Sequence, residues 1–366
     1  MTLRIPADLL PADGRFGSGP SKVRPEALEY LALRADLMGT SHRQAPVRDL
    51  VAAVQDALAR LYSLPDGYEV VLGNGGATQF WDIAVSSLVE RRSSHAVFGE
   101  FSRKFATASA RAPHLDEPLV TEVSPGSAAL PRPGDADVYA WPQNETSTGA
   151  CASVRRVADE GLMLVDATSS AGGMAADIAE TDVYYFAPQK NFASDGGLWF
   201  AFCSPAAIER AERIKASGRW LPETLDLSVA VDNSRRHQTL NTPAIATLLL
   251  LEDQLGWLEA NGGLEFAVAR CVESSSRLYE WAEQHPLTRP FVRPEHRSPV
   301  VATIDLDDSV RWADVSAILR ANGVVDVDPY RGLNRNQLRI GVYASVDPDD
   351  VTALTRCLDV VLDSLA

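Results

Sequence analysis

At 366 residues, with 46% hydrophobic and 23% charged side chains, the chain is long enough for about two packed domains and too apolar for a disordered one. Lys plus Arg total 34 against 49 Asp plus Glu, a net charge of −15, so neither duplex nucleic acid nor an anionic membrane is an expected partner, and any anionic ligand needs a local basic cluster. Cys151, Cys203, Cys271 and Cys357 lie too far apart for a zinc knuckle, a CxxC pair or a dense disulfide framework, and no run reaches the ~18 apolar residues of a bilayer span, so a metal-free cytoplasmic protein without an export signal is expected.

In chain order, the residues from about Glu69 to Ser204 alternate short apolar runs with glycine-rich or polar turns. EVVLG (69–73), SHAVFG (94–99), DVYAW (137–141), LMLVDA (162–167), DVYYFA (182–187) and LWFAFC (198–203) predict buried strands, and the spacing predicts helices over Thr78–Val89 and Pro205–Ser217. That alternation implies an α/β layer with a mostly parallel sheet, whose ligands sit beyond the carboxyl ends of the strands. Two amphipathic helices follow, Pro243–Glu259 and Leu264–His285, separated by Asn261-Gly262-Gly263, which has the character of a helix C-cap. PVVATIDL (299–306), a helix over Val310–Asn322, GVVDV (323–327), LRIGVYAS (338–345) and a closing helix over Asp347–Leu365 predict a compact α+β unit. The expected division is a large domain over 16–260 and a small one over 261–366, joined by the N-terminal residues 1–15.

The chain has four lysines against thirty arginines. Lys22 lies in a Pro-rich loop, Lys104 beside Arg103 and Lys215 on a charged helix, whereas Lys190 follows a strand end among apolar neighbours. Desolvation there disfavours the ammonium and frees the lone pair that a Schiff base requires; the alternative is a loop lysine paired with a carboxylate. Asp166 ends the apolar run Leu162–Val165, where a carboxylate either pairs with a protonated pyridine nitrogen or simply caps a helix. GNGGATQFWD (73–82) supplies a glycine-rich turn that opens a helix, suited to a phosphate or to a structural tight turn, and matches neither the P-loop nor the dinucleotide fingerprint.

With WPQNETSTG (141–149), these elements resemble the fold-type I pyridoxal-phosphate enzymes of the phosphoserine aminotransferase family. The resemblance runs through nearly the whole chain, in FGSGPSKV (16–23), SHR (41–43), GGATQF (75–80), NET (144–146), VDATSS (165–170), APQKN (187–191), NTP (241–243) and LRIGVYAS. It implies the fold-type I architecture, with a sheet of the seven-stranded type, and pyridoxal 5′-phosphate as cofactor. Lys190 is implied as the Schiff-base lysine that also shuttles the proton, Asp166 as partner of the ring nitrogen, Thr146 as donor to the phenolic oxygen and Thr168 as support beside Asp166. Phe101 falls where relatives stack an aromatic, many of them Trp, although a buried Phe is ordinarily core. Gly76, Ala77 and Gln189 are implied around the cofactor phosphate, with Ala77 standing where some members carry arginine. Asn241 and Thr242 match a pair that reaches the same phosphate from the partner subunit of a homodimer, and Thr242 before Pro243 also fits a helix N-cap.

For substrates, the resemblance implies glutamate and 3-phosphohydroxypyruvate, giving 2-oxoglutarate and O-phospho-L-serine, with 4-phosphohydroxythreonine as a further candidate. Arg339 matches the family's carboxylate-binding arginine, its alternative being a buried structural salt bridge. His42, Arg43 and Arg331 match the phosphate side, with Tyr330 where relatives often show histidine. An alanine-glyoxylate aminotransferase has no need of that cluster, and a cysteine desulfurase needs a mobile cysteine that none of the four provides. The more distant alternative is a non-catalytic binding protein on the same fold.

Overall fold

The computed structural model describes residues 3–365; Met1, Thr2 and Ala366, which the expected small domain includes, lie outside the described residues. The chain opens with helices α1 (Pro25–Leu33) and α2 (Ala45–Leu61), then β1 (Glu69–Asn74), α3 (Ala77–Ser87), β2 (Ser93–Val97), α4 (Glu100–Arg111) and β3 (Leu119–Glu122). It continues through β4 (Val138–Pro142), the small hairpin β5 (Asn144–Glu145) and β6 (Ala150–Cys151), β7 (Leu162–Asp166), β8 (Val183–Phe186), β9 (Leu198–Cys203), α5 (Pro205–Ala216) and α6 (Leu227–Ser234). The last part holds α7 (Ile245–Ala260), α8 (Gly263–Gln284), β10 (Thr288–Pro290), β11 (Val301–Leu306), α9 (Trp312–Ala321), β12 (Gln337–Gly341) and α10 (Pro348–Leu365).

Seven strands form one sheet in the order β1-β9-β8-β7-β4-β2-β3. β2, β3, β4, β7 and β8 pair in parallel, and β9 runs antiparallel to both its neighbours, β1 and β8. β1 therefore points the same way as β8, and the carboxyl ends of β1, β2, β4, β7 and β8 share one edge. Successive residues of each strand enter opposite cores, Met163 and Val165 on one face of β7 and Leu162 and Leu164 on the other. Burial on both faces is why these strands read as near-continuous apolar runs. A separate cluster surrounds the antiparallel sheet β10-β11-β12 and includes Ile5 and Phe16 from the N-terminal segment with Leu278 and Tyr279 from α8.

Local chemistry sets the punctuation. Pro205 opens α5 behind Ser204, whose hydroxyl accepts from Ala207 N at 3.1 Å. α7 stops before Asn261, and Gly262, at φ +112°, turns the chain into α8. Two expectations are corrected. GVVDV is not a strand, since only Val325 bridges to Arg15 and Asp326 sits at φ +65°, which breaks the extended run. Thr242 does not cap a helix: α7 begins at Ile245 behind Ala244, and the Thr242 hydroxyl meets His42 Nδ1 at 3.4 Å instead.

Candidate active site

Asp166 is the last residue of β7 and is buried. Its Oδ1 accepts from Thr168 N at 2.9 Å and its Oδ2 from the indole Nε1–H of Trp81, on α3, at 3.2 Å. These donors are neutral, which leaves the carboxylate without a cationic partner within 4 Å among the described residues, and it caps no regular helix.

Lys190 lies four residues beyond β8 on a loop pinned from several sides. Ser21 N donates to Gln189 O at 2.7 Å, Ser194 N to Pro188 O at 3.2 Å, and Asn191 Nδ2 to Ser169 O at 2.8 Å. Lys190 is 8% exposed, makes no ion pair within 4 Å among the described residues, and donates from Nζ to the carbonyl of Ser18 at 3.0 Å. The carboxylate-paired loop lysine is thus not what the chain builds. Burial pushes the ammonium down to about 8 and the Arg339 guanidinium adds to that, while Asp166 and Glu145 act in the opposite sense. Gly19 makes this approach possible: at φ +149°, a Cβ there would lie 2.6 Å from both Cε and Nζ of Lys190.

Contacts extend outward from the amine. Lys190 Nζ stands 5.9 Å from the centroid of the Phe101 ring, Phe101 meets Tyr330 edge-on at 5.7 Å, and the Tyr330 ring lies 5.2 Å from the Arg339 guanidinium carbon. Arg339, on β12, donates from Nη1 to the carbonyl of Thr146 at 3.2 Å, and its Nε is buried without a partner. Burial lowers its basicity, and no carboxylate pairs with it within 4 Å among the described residues, so the structural salt bridge is absent. The Thr146 hydroxyl donates to Ser169 Oγ at 2.7 Å. Arg331 follows Tyr330 in a 3-10 turn and is exposed.

The remaining expected residues gather at the carboxyl end of β1. Gly75, at φ +115°, turns the chain into α3; Gly76 caps that helix with open space where a Cβ would stand, and Ala77 begins it, with no side-chain capping bond, while the Gln79 side chain folds back against Gly75. The Asn74 side chain donates to Thr242 O at 2.9 Å and accepts from Asn241 N at 3.2 Å, tying that pair to the glycine turn. His42 is buried, its basicity lowered by burial and by Arg43, and its Nε2 lacks a partner; Arg43 is exposed. The structure therefore makes two groups. One holds Lys190, Asp166, Thr168, Thr146, Gln189, Phe101 and Arg339 with Arg331, and the other holds His42, Arg43, Asn241 and Thr242 beside the glycine turn of Gly76 and Ala77, which the Trp81–Asp166 bond from α3 links back to the first.

Four of the expected residues carry a buried polar atom that has no partner and that a ligand could satisfy. Thr168 Oγ1 and Gln189 Oε1 are both orphaned beside Asp166 and Lys190, in addition to Arg339 Nε and His42 Nε2. An amine held down to about 8, a carboxylate with no ion-pair partner, orphaned hydroxyl and amide groups and a helix N-terminus without a side-chain cap together suit a phosphorylated heteroaromatic aldehyde. The desulfurase alternative fails on chemistry: no thiol is activated, since burial pushes Cys151 and Cys357 up to about 11 and Cys271 to about 12, and raises Cys203 as well.

Sequence reasoning missed Trp81, Ser18, Ser169 and Glu145. Trp81 carries the helical spacing of an ordinary core residue, and its ring does pack on Phe105 at 6.2 Å. Glu145 was visible only as the middle letter of the NET motif.

The family model for class V aminotransferases matches residues 20–327. A putative phosphoserine aminotransferase of Mycobacterium leprae is 59% identical over 370 residues, covering 100% of this chain and 98% of that protein. A phosphoserine aminotransferase of Nocardioides sp. is also 59% identical, covering 99% of each chain. Among solved structures, a phosphoserine aminotransferase from Cytophaga hutchinsonii superposes with a TM-score of 0.88 at 23% identity, over 95% of this chain and 99% of that one. The chain belongs to the class V aminotransferase family, and within it to the phosphoserine aminotransferases.

Proposed function

We propose that the protein, using pyridoxal 5′-phosphate, exchanges the amino group between glutamate and 3-phosphohydroxypyruvate, yielding 2-oxoglutarate and O-phospho-L-serine. The observation that carries this is Lys190, a buried amine held near neutrality at the same sheet edge as Asp166, in a chain 59% identical to proteins named for that activity. When bound, the cofactor's ring supplies an electron sink for the charge left at the substrate Cα.

The protein's own residues do the rest. Lys190 offers its lone pair as nucleophile and would then carry the proton from the Cα of glutamate to the cofactor side and, in the reverse half-reaction, deliver one to the Cα of the new amino acid, work for which a group titrating near 8 is well matched. Asp166, fixed by Trp81 and the Thr168 amide, holds positive charge on a ring nitrogen. Thr146, Thr168, Gln189, Gly76 and Ala77 supply the polar contacts to the ring oxygen and phosphate, and Phe101 covers the ring face. Arg339 has a free edge, Nε, for an α-carboxylate, and its planar fork suits a bidentate clasp.

The phosphate of the substrate falls to His42, Arg43 and Arg331. As the resemblance of SHR and NTP implies, the protein is a homodimer whose site is completed by the partner's copy of that group together with Asn241 and Thr242. The net charge of −15 is overcome locally by these cations. Four unpaired cysteines accord with a reducing cytoplasm, and no described helix is long and apolar enough to cross a membrane. The test is spectroscopic: protein incubated with pyridoxal 5′-phosphate should gain a visible band that Lys190→Ala lacks, and O-phosphoserine should bleach it. A colourless protein with added cofactor would refute the enzyme outright.

A further inference from the structure

Glu145 is fully buried and makes no ion pair within 4 Å among the described residues, yet its carboxylate collects five donors. Oε1 accepts from Phe101 N at 3.3 Å, Ser147 N at 3.2 Å and Ser147 Oγ at 2.7 Å; Oε2 accepts from Ser102 N at 2.9 Å and Ser102 Oγ at 2.8 Å. Ser147 Oγ in turn accepts from Glu100 N at 2.9 Å. All three amides at the start of α4 are thereby satisfied by one carboxylate and its neighbour. The negative charge sits at the positive end of a twelve-residue helix, where charge-assisted bonds are strongest.

The same turn reaches the other side of the site. Thr146, between the two gripping residues, gives its carbonyl to Arg339 and its hydroxyl to Ser169. Phe101, the second residue of α4, carries the ring beside Lys190 Nζ. The fit is tight: a Cβ at Gly99 would lie 2.3 Å from Glu145 Cγ and 2.6 Å from Ser147 Oγ.

We propose that Glu145 is a positioning residue which, by gripping the first turn of α4 from the turn that also holds Arg339, sets the Phe101 ring against the Lys190 amine and keeps both in register with the Arg339 guanidinium. The kinetic part of this rests on the transaminase function above, whereas the structural part stands on the protein without cofactor.

The test compares Glu145→Gln, Gly99→Ala and Phe101→Leu. In apoprotein, Glu145→Gln should speed hydrogen exchange at the Glu100–Arg103 amides by about tenfold or more. It should also move the midpoint of Lys190 labelling by acetic anhydride to lower pH, since Arg339 and Asp166 are then the charges left facing the amine. In protein loaded with pyridoxal 5′-phosphate, Glu145→Gln and Gly99→Ala should each lower kcat by about tenfold, as small misplacements do, with less effect on KM for glutamate. In a Phe101→Leu background, either change should add less than about twofold, because coupled residues are not additive.

A thermally weakened Glu145→Gln with unchanged Lys190 labelling and unchanged kcat would make Glu145 a structural cap and overturn the proposal. Multiplying kcat losses would show that it does not act through Phe101. Should Glu145→Gln not fold, Gly99→Ala decides by the exchange and kcat measurements. Should the wild type not transaminate, the exchange and labelling results still decide, so the two ideas fail separately.

Discussion

The indole N–H of Trp81 donates to Asp166 Oδ2 across 3.2 Å, tying helix α3, which begins at the glycine turn, to the carboxyl end of β7. The carboxylate that is to face a ring nitrogen is therefore oriented by the element that is to hold the phosphate. Trp81→Phe keeps the apolar ring against Phe105 and removes only the donor. A hydrogen bond to a charged group contributes about 1.5–3 kcal/mol, so retention of pyridoxal 5′-phosphate in equilibrium dialysis should fall by at least about tenfold. Unchanged retention would reduce Trp81 to packing.

Lys190 sets a measurable pH dependence of stability. Its ammonium is depressed from 10.5 to about 8, so between those values the unfolded chain holds a proton that the folded chain has released, and stability rises with pH across that window. Below about 8 the buried charge costs folding on the order of 3 kcal/mol. Apoprotein carrying Lys190→Met should be more stable than wild type at pH 7, with the advantage shrinking as pH rises from 8 toward 10.5. Equal denaturant midpoints at pH 7 would contradict it.

The two anion sites should separate by substrate. Arg43→Ala, on the exposed cation beside His42, should weaken use of O-phosphoserine by about tenfold or more, in line with loss of a charge-assisted bond, and leave glutamate nearly untouched. Arg339→Ala should harm both half-reactions. Equal losses with both substrates in Arg43→Ala would refute its phosphate assignment.

The proposed shared site predicts complementation. Lys190→Ala and Arg43→Ala chains, each weak alone, should on co-expression give mixed dimers in which one of the two sites is intact, with about half the wild-type phosphoserine activity per mixed dimer. Absence of recovery in verified mixed dimers would place His42 and Arg43 in the site of their own chain.

Much of this was legible because burial on both faces leaves a strong signature. β1, β4, β7, β8 and β9 stand within a residue or two of the apolar runs that predicted them, and Asp166 and Lys190 fall just where strands end. β3 was silent because it is an edge strand, largely exposed, with no apolar pattern to read. α4 was missed because its mean composition is polar and its start is fixed by Glu145 and Ser147 from a different segment. The false strand at GVVDV shows the converse, since β-branched composition yields where a residue at positive φ interrupts it. Trp81, Ser18 and Glu145 act through contacts between residues tens to hundreds of positions apart, which no local pattern encodes.

The most direct measurement is a single-turnover half-reaction, mixing cofactor-loaded protein separately with O-phosphoserine, glutamate, serine and alanine and following loss of the visible band. Rapid bleaching by O-phosphoserine and glutamate, with serine and alanine far slower, is the expected result. Bleaching by alanine or serine as fast as by O-phosphoserine would contradict the assignment of the basic residues and of the substrate.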